Sequence, residues 1–358
     1  MPTFRPDLMS IPHYVPGRPI DEVARELGIE SIDKLASNEC PEAPFPEVVD
    51  AVALAANTVN RYPDSSAYDL SRAIASHQGV APDEVWVGAG SSEVLRCAAL
   101  SVGGPGTSAV FAHPSFVMYR IATMVAWSEP IVVPLTTSYA HDLPAMAQAI
   151  RDDTAMVYVC NPNNPTGNHI AGMDLRSFLD AVPERVLVVV DEAYAEYASA
   201  EDYQTFINEA PNRPNLLVTR TFSKVYGLAG LRVGYGVGAP ELLARLSHTQ
   251  APFTITSTGQ AAAIEAIKHP DRVSQRSERN ASGRRLLSDG LVALGYHPAE
   301  SQANFVYFEP PGDAGQLGDA LLHQGQIVRV LGNGIRVTVG TQEENSRFLA
   351  ILESVVAT

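Results

Sequence analysis

Lysine is nearly missing from this chain: among 358 residues there are three, Lys34, Lys224 and Lys268. Cysteine is as rare, and Cys40, Cys97 and Cys160 are odd in number and widely spaced, so neither a disulfide framework nor a zinc pattern is indicated. The nine histidines are scattered without paired spacing, so no metal is expected. No run of about 18 uninterrupted apolar residues occurs. The opening stretch, Met1 to Asp7, has no apolar leader either, and a soluble, cytoplasmic protein is expected. Basic residues are in deficit: 25 Lys and Arg against 40 Asp and Glu leave a formal charge of −15. Nucleic acid and anionic membranes both need a basic footprint, so neither is expected as a partner. Small-molecule chemistry is the class these absences leave standing.

What the chain does have is apolar content, 46%, enough for a substantial core spread over two or three domain-sized units. Residues 1–44 are proline-rich and polar, with one helix expected at Ile20 to Leu27, and read as an N-terminal arm. After a helix at 47–57, helices are expected at 68–78, 92–102, 115–126, 142–151, 172–182 and 202–209. They alternate with strands at 84–88, 107–112, 130–134, 154–160, 185–190 and 215–220. Such alternation with apolar strands predicts an α/β unit, a mainly parallel sheet covered by helices, over residues 45–270. A further strand is expected at 232–237, with helices at 240–248 and 258–268. A long polar helix at 271–294 then opens a smaller α+β unit, residues 271–358, with strands at 303–308, 326–330 and 334–339 and helices at 315–323 and 342–355.

In an open parallel sheet, ligands bind beyond the carboxyl ends of the strands. Four such ends carry chemistry. Gly88-Ala89-Gly90-Ser91-Ser92-Glu93 is a glycine turn opening a helix whose free amides suit a phosphate. Asn161-Pro162-Asn163-Asn164-Pro165-Thr166-Gly167 fixes its backbone with two prolines and presents an amide. Asp191 ends an all-apolar strand, where a carboxylate is costly unless it meets a cation or a protonated nitrogen. Lys224 follows the last strand, between Thr221 and Ser223 on one side and Arg232 on the other. A desolvated ε-amine can attack a carbonyl, which a guanidinium cannot. Each feature alone is commonplace, but one ligand satisfies all four: an aromatic aldehyde bearing a phosphate and a basic ring nitrogen, which is the description of pyridoxal 5'-phosphate.

These residues stand among motifs that run from about Pro12 to Phe348. They include Tyr14-Val15-Pro16-Gly17, Leu35-Ala36-Ser37-Asn38-Glu39, Arg61-Tyr62-Pro63-Asp64, Asn163-Asn164-Pro165-Thr166-Gly167, Asp191-Glu192-Ala193-Tyr194, Ser223-Lys224 and Gly334-Ile335-Arg336-Val337-Thr338-Val339-Gly340. On them the sequence resembles the fold-type I pyridoxal-phosphate aminotransferases, an aspartate-aminotransferase-like fold. The likeness is to the histidinol-phosphate aminotransferase group and its relatives acting on aromatic amino acids. The resemblance implies that Lys224 binds the cofactor, Asp191 meets the ring nitrogen, and Asn164 and Tyr194 hydrogen-bond the 3'-oxygen. Phe116 stands where an aromatic stacks on the pyridine ring, and Ser91, Ser92, Ser223 and Arg232 hold the phosphate. It implies a homodimer, since the tyrosine matching Tyr62 reaches the phosphate of the neighbouring subunit, and an arm that packs on the small domain and the partner. Arg336 matches the arginine that grips the substrate carboxylate, with Arg329, Asn38 and Tyr14 as further implied substrate contacts.

Two stretches depart from the histidinol-phosphate branch. Asn38-Glu39-Cys40-Pro41-Glu42 stands where that branch usually has Asn-Glu-Asn-Pro-Tyr, and the loop from Arg329 to Arg336 is short. Both lie toward the substrate, not the cofactor. The reading is therefore an aminotransferase that exchanges the amino group of an aromatic amino acid with 2-oxoglutarate, Lys224 moving the proton as general base and acid. Histidinol phosphate as donor is the alternative, with Arg329 available for its phosphate. A decarboxylase or lyase on the same fold, and a binding module retaining it, are the remaining readings.

Overall fold

The computed structural model describes residues 2–357. Helix α1 (Ile20–Leu27) and the two-residue strand β1 (Asp33–Lys34) belong to the N-terminal stretch, followed by α2 (Pro46–Ala56), which starts on a proline, and α3 (Tyr68–Gln78). The alternation then runs β2 (Val85–Gly88), α4 (Ser91–Val102), β3 (Ser108–His113), α5 (Val117–Val125), β4 (Glu129–Pro134), α6 (Leu143–Gln148), β5 (Thr154–Cys160), α7 (Gly172–Ala181), β6 (Leu187–Asp191) and β7 (Leu216–Thr221). Strand β8 (Gly234–Val237) and helices α8 (Pro240–Leu246) and α9 (Ser257–Ile267) close this part.

The seven strands form one sheet in the order β2-β8-β7-β6-β5-β3-β4. Only β8 runs antiparallel to its neighbours, so the expected mainly parallel, helix-covered α/β sheet is what the chain builds. Its central strands β5 and β6 are largely apolar because both of their faces are covered. Val188 and Val190 pack with Leu175 and Phe178 on one side, while Leu187 and Val189 pack with Leu95 and Ala98 on the other. Each Val, Leu or Phe side chain so buried contributes roughly 1.5–3 kcal/mol.

Beyond α10 (Pro270–Ala293), strands β9 (Phe305–Phe308), β11 (Arg329–Leu331) and β12 (Gly334–Thr338) form a small antiparallel sheet. It is flanked by α11 (Ala314–His323), the short strand β10 (Gln326–Ile327) and α12 (Gln342–Val356). The N-terminal stretch is tied to this smaller unit. β1 pairs in parallel with β10, Leu35 packs among Val306, Val337 and Phe348, and buried Asp33 accepts from Arg347 at 2.7 and 3.1 Å and from Gln326 Nε2 at 2.7 Å.

Two expectations need correction. Residues 202–209 form no helix, only turns ahead of a short 3₁₀ turn at Ala210–Asn212. The reason is a buried carboxylate: Glu192 accepts from the Phe206 amide at 2.7 Å and the Thr205 hydroxyl at 2.7 Å, replacing helical partners. The strand expected at 326–330 is two strands, since β10 pairs with the arm and β11 with β12.

Candidate active site

The parallel strands end on one edge of the sheet, at Gly88, His113, Cys160, Asp191 and Thr221, and a cavity of about 290 Å³ lies there. All the residues marked by the sequence line it except Tyr62 and Arg329: Tyr14, Asn38, Ser91, Ser92, Phe116, Asn164, Asp191, Tyr194, Thr221, Ser223, Lys224, Arg232 and Arg336. The ends of the seven-stranded sheet's strands and the segments that follow them supply most of these residues, the small sheet supplies Arg336, and the N-terminal stretch supplies Tyr14 and Asn38.

Half-buried Lys224 donates to the Ser37 carbonyl at 3.4 Å, and its ammonium lies 5.6 Å from the centre of the Tyr194 ring. Burial, with Arg336 and Arg232 nearby, lowers its amine from the usual 10.5 to about 8. Asp191 is 2% exposed and has no ion-pair partner among the described residues. It accepts from Tyr119 Oη at 2.9 Å, Thr219 Oγ1 at 3.1 Å and the Ala193 amide at 3.3 Å. Burial raises its pKa and these donors hold it back.

One end of the cavity is shaped for an anion. Helix α4 begins at Ser91 with no side chain capping it, and the Ser91 and Ser92 amides stand at the cavity beside the hydroxyls of those residues, while the Glu93 amide donates to the Gly90 carbonyl. Arg232 donates to Ser223 Oγ at 3.4 Å and to the Ala229 carbonyl at 3.1 Å. Gly90 is required here on two counts: its φ is +76°, and a Cβ would lie 2.6 Å from the Arg232 guanidinium.

At the opposite side Arg336 is 7% exposed. It donates to Asn164 Oδ1 at 2.5 Å and to the Ala36 carbonyl at 2.6 Å, and its Nε is buried without a partner. Burial lowers it from 12.5 to about 10. The Tyr194 hydroxyl accepts from Asn38 Nδ2 at 2.9 Å, and burial pushes its pKa up. Asn38 is held in turn by Thr338 and Asn304. A second chamber of about 430 Å³ continues from here, sharing Tyr14, Phe116, Asn164 and Arg336 and walled by Phe111, Pro114, Val117 and Leu331.

Arg329 lines this outer chamber, not the inner cavity. Tyr62 lines neither: it is 81% exposed and stacks on Phe253 with ring centres 4.6 Å apart. Sequence reading missed Tyr119 and Thr219, the donors to Asp191. Tyr119 follows Phe116 by three residues at the start of a helix, a spacing that places both on one face and was the available signal. Thr219 had none beyond its place two residues before Thr221 on the same face of β7.

The model of the family described as aminotransferase class I and II matches residues 31–352, and the chain belongs to that family. Over its whole length it is 40% identical to a histidinol-phosphate aminotransferase of Moorella thermoacetica, covering 94% of that protein. It is 42% identical to an aromatic amino acid aminotransferase of Rhodococcus erythropolis, over 99% of this chain and 96% of the other. A crystal structure of histidinol-phosphate aminotransferase from Sinorhizobium meliloti in complex with pyridoxal-5'-phosphate superposes with a TM-score of 0.91 at 28% identity, over 99% of this chain and 97% of that one. This protein is a pyridoxal-phosphate-dependent aminotransferase, exchanging an amino group between an amino acid and a 2-oxo acid.

Proposed function

We propose that the inner cavity holds pyridoxal phosphate and that the amino donor is an aromatic amino acid, with 2-oxoglutarate as acceptor. Three features fit the cofactor. The buried Asp191 carboxylate has no cation and suits a protonated ring nitrogen. The uncapped start of α4 and Arg232 suit a phosphate. Lys224 has an amine lowered to about 8, in reach of its neutral, nucleophilic form. When bound, the cofactor supplies an electrophilic carbon and a pyridine ring that accepts electrons.

The residues divide the remaining work. Lys224 would anchor the cofactor and, as general base, would take the proton from the donor's Cα. Asn164 and Tyr194 would hold the cofactor at its 3'-oxygen, Phe116 would pack on its ring, and Ser91, Ser92, Thr221, Ser223 and Arg232 would hold its phosphate. Arg336 takes the α-carboxylate, its unpartnered Nε offering the second prong of a bidentate pair. Tyr14 and Asn38 close the site from the arm.

The observation that carries the donor assignment is the outer chamber, about 430 Å³ with Phe111, Pro114, Phe116, Val117 and Leu331 on its walls, opening beside Arg336. An apolar ring fits there while the carboxylate stays on the arginine. Histidinol phosphate is the second reading, favoured by Arg329 on the same chamber and by relatives that carry that name. Profiling phenylalanine, tyrosine, tryptophan and histidinol phosphate as donors with 2-oxoglutarate tests the assignment. A much higher kcat/KM for histidinol phosphate overturns it. Borohydride reduction and peptide mapping test the anchor, which fails if the label falls on Lys34 or Lys268.

The active form is a homodimer in which Tyr62 completes the partner's phosphate site. Its support is the exposed aromatic pair of Tyr62 and Phe253, 81% and 43% exposed, with ring centres 4.6 Å apart. On the same reading residues 1–44 act as an arm, 45–270 as the cofactor-binding domain and 271–358 as a small domain. Three free thiols suit a reducing compartment such as the cytoplasm.

A further inference from the structure

Asp191 is oriented by a residue outside every motif that marks the site. Tyr119, on α5, is fully buried, and its phenol donates to Asp191 Oδ2 at 2.9 Å. The ring has no room to turn away: it stacks on Tyr158 with centres 4.7 Å apart and meets the edge of Phe116 at 5.7 Å. Thr219 and the Ala193 amide both serve the other oxygen, Oδ1. A carboxylate offers about four acceptor positions. With two donors on Oδ1 and one on Oδ2, the open position is on the oxygen that Tyr119 fixes.

We propose that Tyr119 is a positioning residue, whose hydrogen bond holds Asp191 ionised with its open lone pair toward the cavity, so that the carboxylate can keep the pyridine nitrogen of the cofactor protonated. This rests on the reading that Asp191 meets that nitrogen. The arrangement also gives α5 a double role, because Phe116 at its start lines the cavity and Tyr119, one turn on, reaches behind the carboxylate. The same helix thereby sets the ring face and the charge beside the ring nitrogen.

Three single variants and one double variant separate the possibilities: Tyr119→Phe, Asp191→Asn, Tyr158→Phe, and Tyr119→Phe combined with Asp191→Asn. The readouts are the dissociation constant of pyridoxal phosphate, from titration of the apoprotein, and the proton resonance of the ring nitrogen in the loaded protein. Tyr119→Phe keeps the aromatic packing and loses only the hydroxyl. It is expected to weaken cofactor binding at least about tenfold, the low end for a hydrogen bond to a charged group, and to displace the nitrogen-proton resonance. Asp191→Asn is expected to remove that resonance, and adding Tyr119→Phe to it should cost nothing further. Tyr158→Phe, which removes a buried hydroxyl without a partner, should leave the resonance in place. The proposal is overturned if Tyr119→Phe leaves affinity and resonance intact where Asp191→Asn loses both, or if Tyr119→Phe costs as much with Asn at 191. If Asp191→Asn itself changes neither readout, the assignment of Asp191 to the ring nitrogen falls, and the role of Tyr119 with it.

Discussion

Arg336 of the small sheet donates to Asn164 Oδ1, in the loop after β5 of the large one, at 2.5 Å, across 172 residues of sequence. The contact places the candidate carboxylate-binding cation against the amide assigned to the cofactor ring. It also fixes the Asn164 side chain with its oxygen toward the arginine, leaving the NH₂ group to donate elsewhere. The arginine is completed by the Ala36 carbonyl of the arm at 2.6 Å, so three separate parts of the chain converge on one guanidinium.

Arg336→Lys should therefore retain charge and lose geometry. A lysine cannot span Asn164, Ala36 and a substrate carboxylate together. The expected loss is roughly 1.5–3 kcal/mol in kcat/KM, the scale for charged hydrogen bonds, and equal for phenylalanine and glutamate because both present an α-carboxylate. Steady-state kinetics with each donor checks this, and a variant that spares phenylalanine while impairing glutamate refutes it.

The lowered pKa of Lys224 has a consequence for stability. With a folded value of about 8 against an ordinary 10.5, the unfolded chain binds more protons than the folded one between those limits, so apoprotein stability rises with pH through that window. Below pH 8 the folded state carries the full cost of a charged, half-buried amine. Lys224→Met should thus stabilise the apoprotein at pH 7 by about 2 kcal/mol after allowance for solvent screening, with the gain disappearing near pH 10.5. Urea denaturation of both proteins across the range measures it.

The proposed sharing of active sites between two subunits predicts complementation. Lys224→Ala subunits lack the anchor and Tyr62→Phe subunits lack the phenol offered to the partner, so a mixed dimer regains one unaltered site. Refolding the two together should restore activity above either parent. A fully active monomer by light scattering and assay excludes the arrangement.

The turns at 202–209 depend on a buried ion network. Arg220, 7% exposed, pairs with Glu192 at 2.7 Å and Glu196 at 2.9 Å and donates to Thr205 at 2.9 Å. Replacing it by methionine strands the fully buried Glu192 carboxylate, an expected loss of about 3–5 kcal/mol in unfolding free energy. Glu192→Gln combined with Arg220→Met should recover part of that loss, because no charge is then left unpaired at 192. Thermal and urea unfolding of the single and double variants check both statements.

By itself the sequence determined most of the elements and the chemistry-bearing strand ends. Apolar period and turn residues place α1 and α3 at their observed bounds, and strand β5 likewise, since these segments carry their own signals of burial and termination. The short motifs at Asp191, Asn164 and Lys224 were legible for the same reason: each stands at or just beyond a strand end that the local pattern places to within a residue. Only the tertiary structure decided what those residues meet. Nothing local reveals that Glu192 draws residues 202–209 out of a helix, that 326–330 divides between two pairing partners, or that Tyr119 reaches Asp191. Those outcomes depend on groups far apart in the chain whose polar atoms, once buried together, have no solvent to bond and must bond each other.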